Sequence, residues 1–147
     1  MPTIERTVHS PAPVGTVQAY LREVANTEEW DAPTVSCEPV DPSTPIGIGK
    51  QWHNVSEFRG KRTELTYTLE VDEPGHLRIR GENKTVTSQD DITMIADGPG
   101  TTVTYRAEFT LKGVAKVASP LLSPALGRLG DDAEETLQQA LERLPVG

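Results

Sequence analysis

Seven apolar residues in the last quarter of the chain, Leu122, Leu126, Leu129, Ala133, Leu137, Ala140 and Leu144, recur every three or four positions. That spacing puts them on one face of one helix. The phase runs through Gly127 and Gly130 without a reset, so the two glycines are not expected to break it. A helix of about 24 residues is about 36 Å long. This is too long for an ordinary crossover between strands in a chain of 147 residues. The sequence before it alternates as strands do. The helix is therefore expected to lie across a sheet, and what is held between the two should decide the function.

The strands can be placed from their alternation and turns. Thr3 to Ser10 reads as a strand, closed by Ser10-Pro11-Ala12-Pro13. Val14, Val17, Tyr20, Leu21 and Val24 then follow helical spacing, and Asn26-Thr27 separates them from a short second helix, Glu28 to Asp31, that carries Trp30. Six further strands are expected: Thr34–Val40, Lys50–Phe58, Thr63–Val71, His76–Lys84, Thr87–Ala96 and Thr101–Leu111. The turns between them include Arg59-Gly60-Lys61-Arg62, Glu73-Pro74-Gly75 and Asp97-Gly98-Pro99-Gly100. Hairpin connections imply an antiparallel sheet with one apolar face, which the long helix would cover. That helix can start at Ser119-Pro120 or at Ser123-Pro124, since proline is suited to a first helical position.

Hairpin parity tells which residues share the covered face. Two-residue loops place Trp52, Asn54, Ser56 and Phe58 with Leu65, Tyr67 and Leu69, and place Ile92, Met94 and Ala96 with Val103, Tyr105 and Phe109. Five of the seven aromatic residues then face inward. Large residues on such a face are usually core. This set also carries the polar atoms of Asn54, Ser56, Tyr67 and Tyr105, which need partners if buried. Small residues on the helix, Ala125, Ala133 and Ala140, leave room for a cavity that would supply them. The expected ligand contacts are Trp52, Asn54, Phe58, Tyr67, Leu69, Ile79, Met94, Tyr105, Phe109, Leu122, Leu126 and Leu129. Trp52 leads this set, because an indole offers a broad apolar wall and one N–H donor.

The order of elements resembles the helix-grip fold of the START-like, or SRPBCC, superfamily, which includes polyketide cyclases and dehydratases and lipid-transfer domains. The segment Val8-His9-Ser10-Pro11-Ala12-Pro13, followed by Val17, Asn26 and Trp30, is similar to the family's opening strand, proline turn, helix and terminal tryptophan. Glu70-Val71-Asp72-Glu73-Pro74 resembles the turn after the fourth strand. Gly100-Thr101-Thr102-Val103-Thr104-Tyr105 resembles the last strand, which leads through Lys112-Gly113 to the final helix. The resemblance implies an α+β fold, with a curved seven-stranded antiparallel sheet wrapped around a long C-terminal helix and two short helices after the first strand. It also implies a hydrophobic tunnel between sheet and helix. Residues 1–147 are expected to form a single such domain. These are fold motifs, and no catalytic residue carries over from them.

Other chemistries leave little trace. The net charge of −8 and pI of about 4.8 provide no basic stripe for nucleic acid. Cys37 is the lone cysteine, so no intramolecular disulfide is expected, and an inert thiol is the simpler reading. His9, His53 and His76 are scattered, and no metal site or other cofactor is expected. No apolar run reaches membrane-spanning length, and the N-terminus does not read as a signal peptide. A cytoplasmic protein, monomeric or a weak homodimer, is expected.

Asn54, Tyr67 and Tyr105 are the candidates for acid–base work on a bound carbonyl. Alternation adds Asp90 to the Ile92 and Met94 face. Its place near the start of that strand reads as a solvated end. The favoured expectation is binding of a small hydrophobic molecule (a lipid, polyketide or aromatic metabolite). The alternatives are a polyketide cyclase or dehydratase type of enzyme, and a partner-binding module without a ligand.

Overall fold

The computed structural model describes residues 3–58, 60–112 and 119–146, with the side chains of Phe58 and of residues 119–126 outside the description. The elements run β1 (Thr3–Ser10), α1 (Val14–Arg22), a 3-10 turn (Val24–Asn26), α2 (Thr27–Trp30), β2 (Thr34–Pro39), β3 (Gln51–Phe58), β4 (Lys61–Glu73), β5 (His76–Glu82), β6 (Val86–Asp97), β7 (Gly100–Leu111) and α3 (Ser119–Glu142). The seven strands form one antiparallel sheet in the order β1-β7-β6-β5-β4-β3-β2. β1 and β2 are opposite edges, so the segment carrying α1 and α2 crosses from one edge to the other.

The hairpin registers are those that parity predicts. Trp52 lies opposite Tyr67 and Asn54 opposite Leu65. Ile92 lies opposite Tyr105 and Ser88 opposite Phe109. Glycines at positive φ close these turns, Gly60 at 79° and Gly98 at 59°, a region that L side chains rarely occupy. The pairing of β4 with β5 shifts between Leu69 and Val71, and such a bulge bends the strand and increases its twist.

α3 is a single helix of 24 residues that starts at the earlier serine-proline pair and passes through Gly130 without a break. The glycine serves close packing there. A Cβ at Gly130 would stand 2.7 Å from Cγ2 of Ile4 and 2.8 Å from Nη2 of Arg6, both on β1. The helix is tied along the same edge strand. Arg6 pairs with Asp131 at 3.0 Å. The Gln138 amide receives the His9 N–H at 3.0 Å and donates to the His9 carbonyl at 2.8 Å, as a neighbouring strand would. The Ser10 hydroxyl donates to the Leu141 carbonyl at 2.9 Å. An edge strand is thus covered by a helix.

The two ends of the concave face differ. At one end α1 packs against β6 and β7, and its buried Val17 and Leu21 join Val24, Trp52, Leu69, Ile79 and Met94 in the core. The polar side of α1 fastens it to the β4–β5 turn. Gln18 donates to Asp72 and to the Glu73 carbonyl and accepts from the Gly75 N–H, and Arg22 meets Asp72 at 2.6 Å. At the other end the described residues of the sheet and α3 leave a space between them.

Candidate ligand cavity

That space is a cavity of about 390 Å³. Its floor is the sheet: Leu65 and Tyr67 on β4, Ser88 and Asp90 on β6, Tyr105 and Phe109 on β7. Asp31 and Pro33, between α2 and β2, form one side, and Ile4, Leu129 and Ala133 form another. Ser56, Thr63, Thr85, Val86 and Leu111 complete the wall. The wall is mostly apolar, with a few polar groups drawn together, the usual composition of a small-molecule site.

Two carboxyls face this space. Asp90 is 8% exposed, and burial pushes its pKa up to about 8, with the nearby charge of Asp31 adding to the rise. Asp31 is raised to about 6, again by burial, and the hydroxyl of Thr34 partly offsets this. Desolvation disfavours the charged form of an acid, and a like charge disfavours it further. At neutral pH Asp31 is therefore mostly ionised and Asp90 mostly protonated. Asp90 and the Tyr105 hydroxyl influence each other's titration, and both Tyr67 and Tyr105 are held well above the usual tyrosine range by burial and the two acids. Both keep their protons. Tyr105 is backed by Trp30, edge to face at 5.8 Å and 76°.

Asp31 is oriented by a chain of hydrogen bonds that begins and ends at the cavity wall. Ser56 donates to Asn54 Oδ1 at 2.6 Å, Asn54 Nδ2 donates to Thr34 at 3.1 Å, and Thr34 donates to Asp31 Oδ2 at 2.6 Å. Every donor in the chain points toward Asp31.

The candidate residues divide. Tyr67, Tyr105, Phe109 and Leu129 line the cavity. Phe58, Leu122 and Leu126 fall outside the described side chains. Trp52, Asn54, Leu69, Ile79 and Met94 do not reach the described wall. The last three are buried in the core. Trp52 is fully buried, and its indole N–H donates to Glu23 at 3.2 Å. Asn54 has both ends of its amide engaged, so it positions Thr34 rather than meeting a guest. Asp90 is not a solvated strand end: β6 starts at Val86, which puts Asp90 inside the paired region opposite Ala107. Asp31 was not among the candidates. It sits in a loop, where alternation gives no direction, and only the path of the α2–β2 segment along the sheet brings it inward.

The histidines lie outside this site. His9 is near Asp97, His53 near Glu64 and His76 near Asp91. Among the described residues no three His, Cys, Asp or Glu side chains gather as a metal-binding group. No helix among them is long and apolar enough to cross a membrane.

Residues 1–144 match the family described as polyketide cyclase / dehydrase and lipid transport. The chain belongs to that family. Its fold is shared with a START superfamily protein from Mycobacterium smegmatis, at a TM-score of 0.77 and 12% identity, covering 95% of this chain and 96% of the other. It is also similar to the Zhui aromatase/cyclase of Streptomyces sp. R1128, at a TM-score of 0.76 and 16% identity, covering 96% and 93%. A protein from Thermus thermophilus is similar at a TM-score of 0.76 and 18% identity, covering 95% and 97%. At these identities the likeness concerns the fold. No curated protein matches the chain in sequence. The family comes from the match over residues 1–144, and the solved structures share its fold.

Proposed function

We propose that this protein binds a small, mostly apolar molecule in the cavity between the sheet and α3, as a carrier or sensor. The observation that carries the reading is the cavity itself: about 390 Å³ bounded mainly by apolar side chains, with Asp31, Tyr67, Asp90 and Tyr105 in its wall. Ligand sites fall in the range of roughly 300–1,000 Å³. Tyr67, Tyr105, Phe109 and Leu129 would contact the guest, Leu129 from the helix side. In this reading the protein is cytoplasmic, and the guest reaches it from water. Organic extraction of gently purified protein, followed by mass spectrometry, tests the reading. An apolar guest near one per chain supports it. A bare protein that also takes up no neutral apolar probe defeats it and favours a partner-binding module.

One observation favours a second reading, an enzyme of the cyclase or dehydratase type. Asp90 holds a proton at neutral pH beside Tyr67 and Tyr105, the state a general acid needs when it faces a carbonyl. Turnover of a short poly-β-keto thioester by the wild type, Asp90→Asn and Tyr67→Phe tests it. Equal rates in all three would remove both residues from catalysis.

A further inference from the structure

We propose that the polar end of the cavity is built for a protonated amine, so that the guest is an apolar molecule with one cationic nitrogen and Asp31 is its counter-ion. This rests on the binding reading above and adds the charge of the guest to it.

Three observations carry it. First, Asp31 and Asp90 are among the described residues of the wall, and no Lys, Arg or His joins them. Neither carboxyl has a cationic partner among the described residues, whereas Asp72, Asp91 and Asp131, outside the cavity, each have one. A partly buried carboxylate such as Asp31 without a counter-charge carries a desolvation cost, and a guest that supplies the charge lowers it. A guest with its own carboxylate would increase it.

Second, the Ser56, Asn54 and Thr34 chain delivers a donor to one oxygen of Asp31 only. Such a chain favours the ionised acceptor, and its partly buried members strengthen one another. Oδ1 of Asp31 receives no hydrogen bond from the described side chains and is free to accept one.

Third, Tyr67 is 7% exposed and lines the cavity, yet its hydroxyl has no hydrogen-bond partner among the described residues. That hydroxyl is not among the enclosed polar atoms left without a partner, so it opens on the cavity within reach of a guest. A tyrosine oxygen can accept as well as donate. An ammonium group has three N–H donors, and Asp31, Asp90 and Tyr67 offer three acceptors on different sides of one space. Charge-assisted hydrogen bonds of this kind are roughly twice as strong as neutral ones.

The test is a matched set with one apolar body: 2-(2-naphthyl)ethylamine, 2-(2-naphthyl)ethanol and 2-naphthylacetate, titrated by calorimetry at pH 7. Nile red, a neutral dye, reports cavity binding without regard to charge. The amine is expected to bind at least about tenfold more tightly than the carboxylate, with the alcohol between them. In Asp31→Asn/Asp90→Asn the amine-to-carboxylate ratio should fall close to one, while Nile red still binds. Glu135→Gln, an exposed acid on α3, removes a surface charge and should leave the ratio unchanged. A carboxylate that binds the wild type as well as the amine overturns the proposal, whether or not the double variant folds. A ratio that survives the double substitution, or that drops equally in Glu135→Gln, overturns it too. If Nile red binds but the set shows no charge preference, the amine inference falls and the binding reading stands. If neither Nile red nor any of the set binds, both fall.

Discussion

The Tyr67 ring lies over Gly81. The two are paired across β4 and β5, and Gly81 is paired in turn with Ser88 on β6. A Cβ at position 81 would overlap the Tyr67 ring and stand 2.6 Å from the Ser88 hydroxyl. The missing side chain therefore lets the ring cross β5 and bring its hydroxyl within the influence of Asp90 and Asp31.

Gly81→Ala should displace that ring. Overpacking of this kind costs about 1–3 kcal/mol, which urea denaturation can read. Nile red affinity should fall as well, because the ring moves into or away from the cavity wall. Unchanged stability and affinity would mean that the ring has another place to go at no cost.

The tryptophans should separate as reporters. Trp30 meets Tyr105, which lines the cavity, edge to face, whereas Trp52 is tied to Glu23. In Trp52→Phe, decan-1-ol should shift the remaining Trp30 emission saturably. In Trp30→Phe, the remaining Trp52 should stay silent while calorimetry still records binding. A response from Trp52 alone would place the guest under α1 instead.

The raised carboxyls set a pH dependence. The pKa of Asp90 rises from 3.8 to about 8, and that of Asp31 from 3.8 to about 6. Between its unfolded and folded values each binds more protons folded than unfolded. Stability should therefore decline as pH rises from about 4 to about 8 and level off above that. Asp91, Asp41 and Glu82 are lowered instead, so their contributions are lost only in more acidic solution. Asp90→Asn keeps the size of the side chain and cannot ionise. It should be more stable than the wild type at pH 8.5, by about 1 kcal/mol or more, with a flatter profile. An identical profile would show that Asp90 ionises freely.

The sheet and its covered face were legible because period-two alternation and two-residue hairpins fix register, and register fixes facing. Tyr67, Tyr105 and Phe109 follow from that alone. Leu129 follows from the helix phase. Parity cannot tell where along a face the cavity lies. That depends on how the helices cover the face, and Trp52, Leu69, Ile79 and Met94 are packed in the core rather than along the cavity wall. Nor does alternation reach Asp31, whose direction is set by a loop crossing the sheet edge. Asp90 was placed on the correct face, but its burial depends on how far β6 extends before it.

The most direct test of the cavity is a Nile red titration of the wild type and Ala133→Leu. Ala133 is buried on α3 and faces the space between helix and sheet, so a larger apolar side chain there fills the cavity from the helix side without adding charge. The account predicts one saturable site in the wild type and at least about a tenfold loss of affinity in Ala133→Leu, with the same helical content by circular dichroism. Equal affinity in the two proteins, or no saturable binding in the wild type, would contradict it.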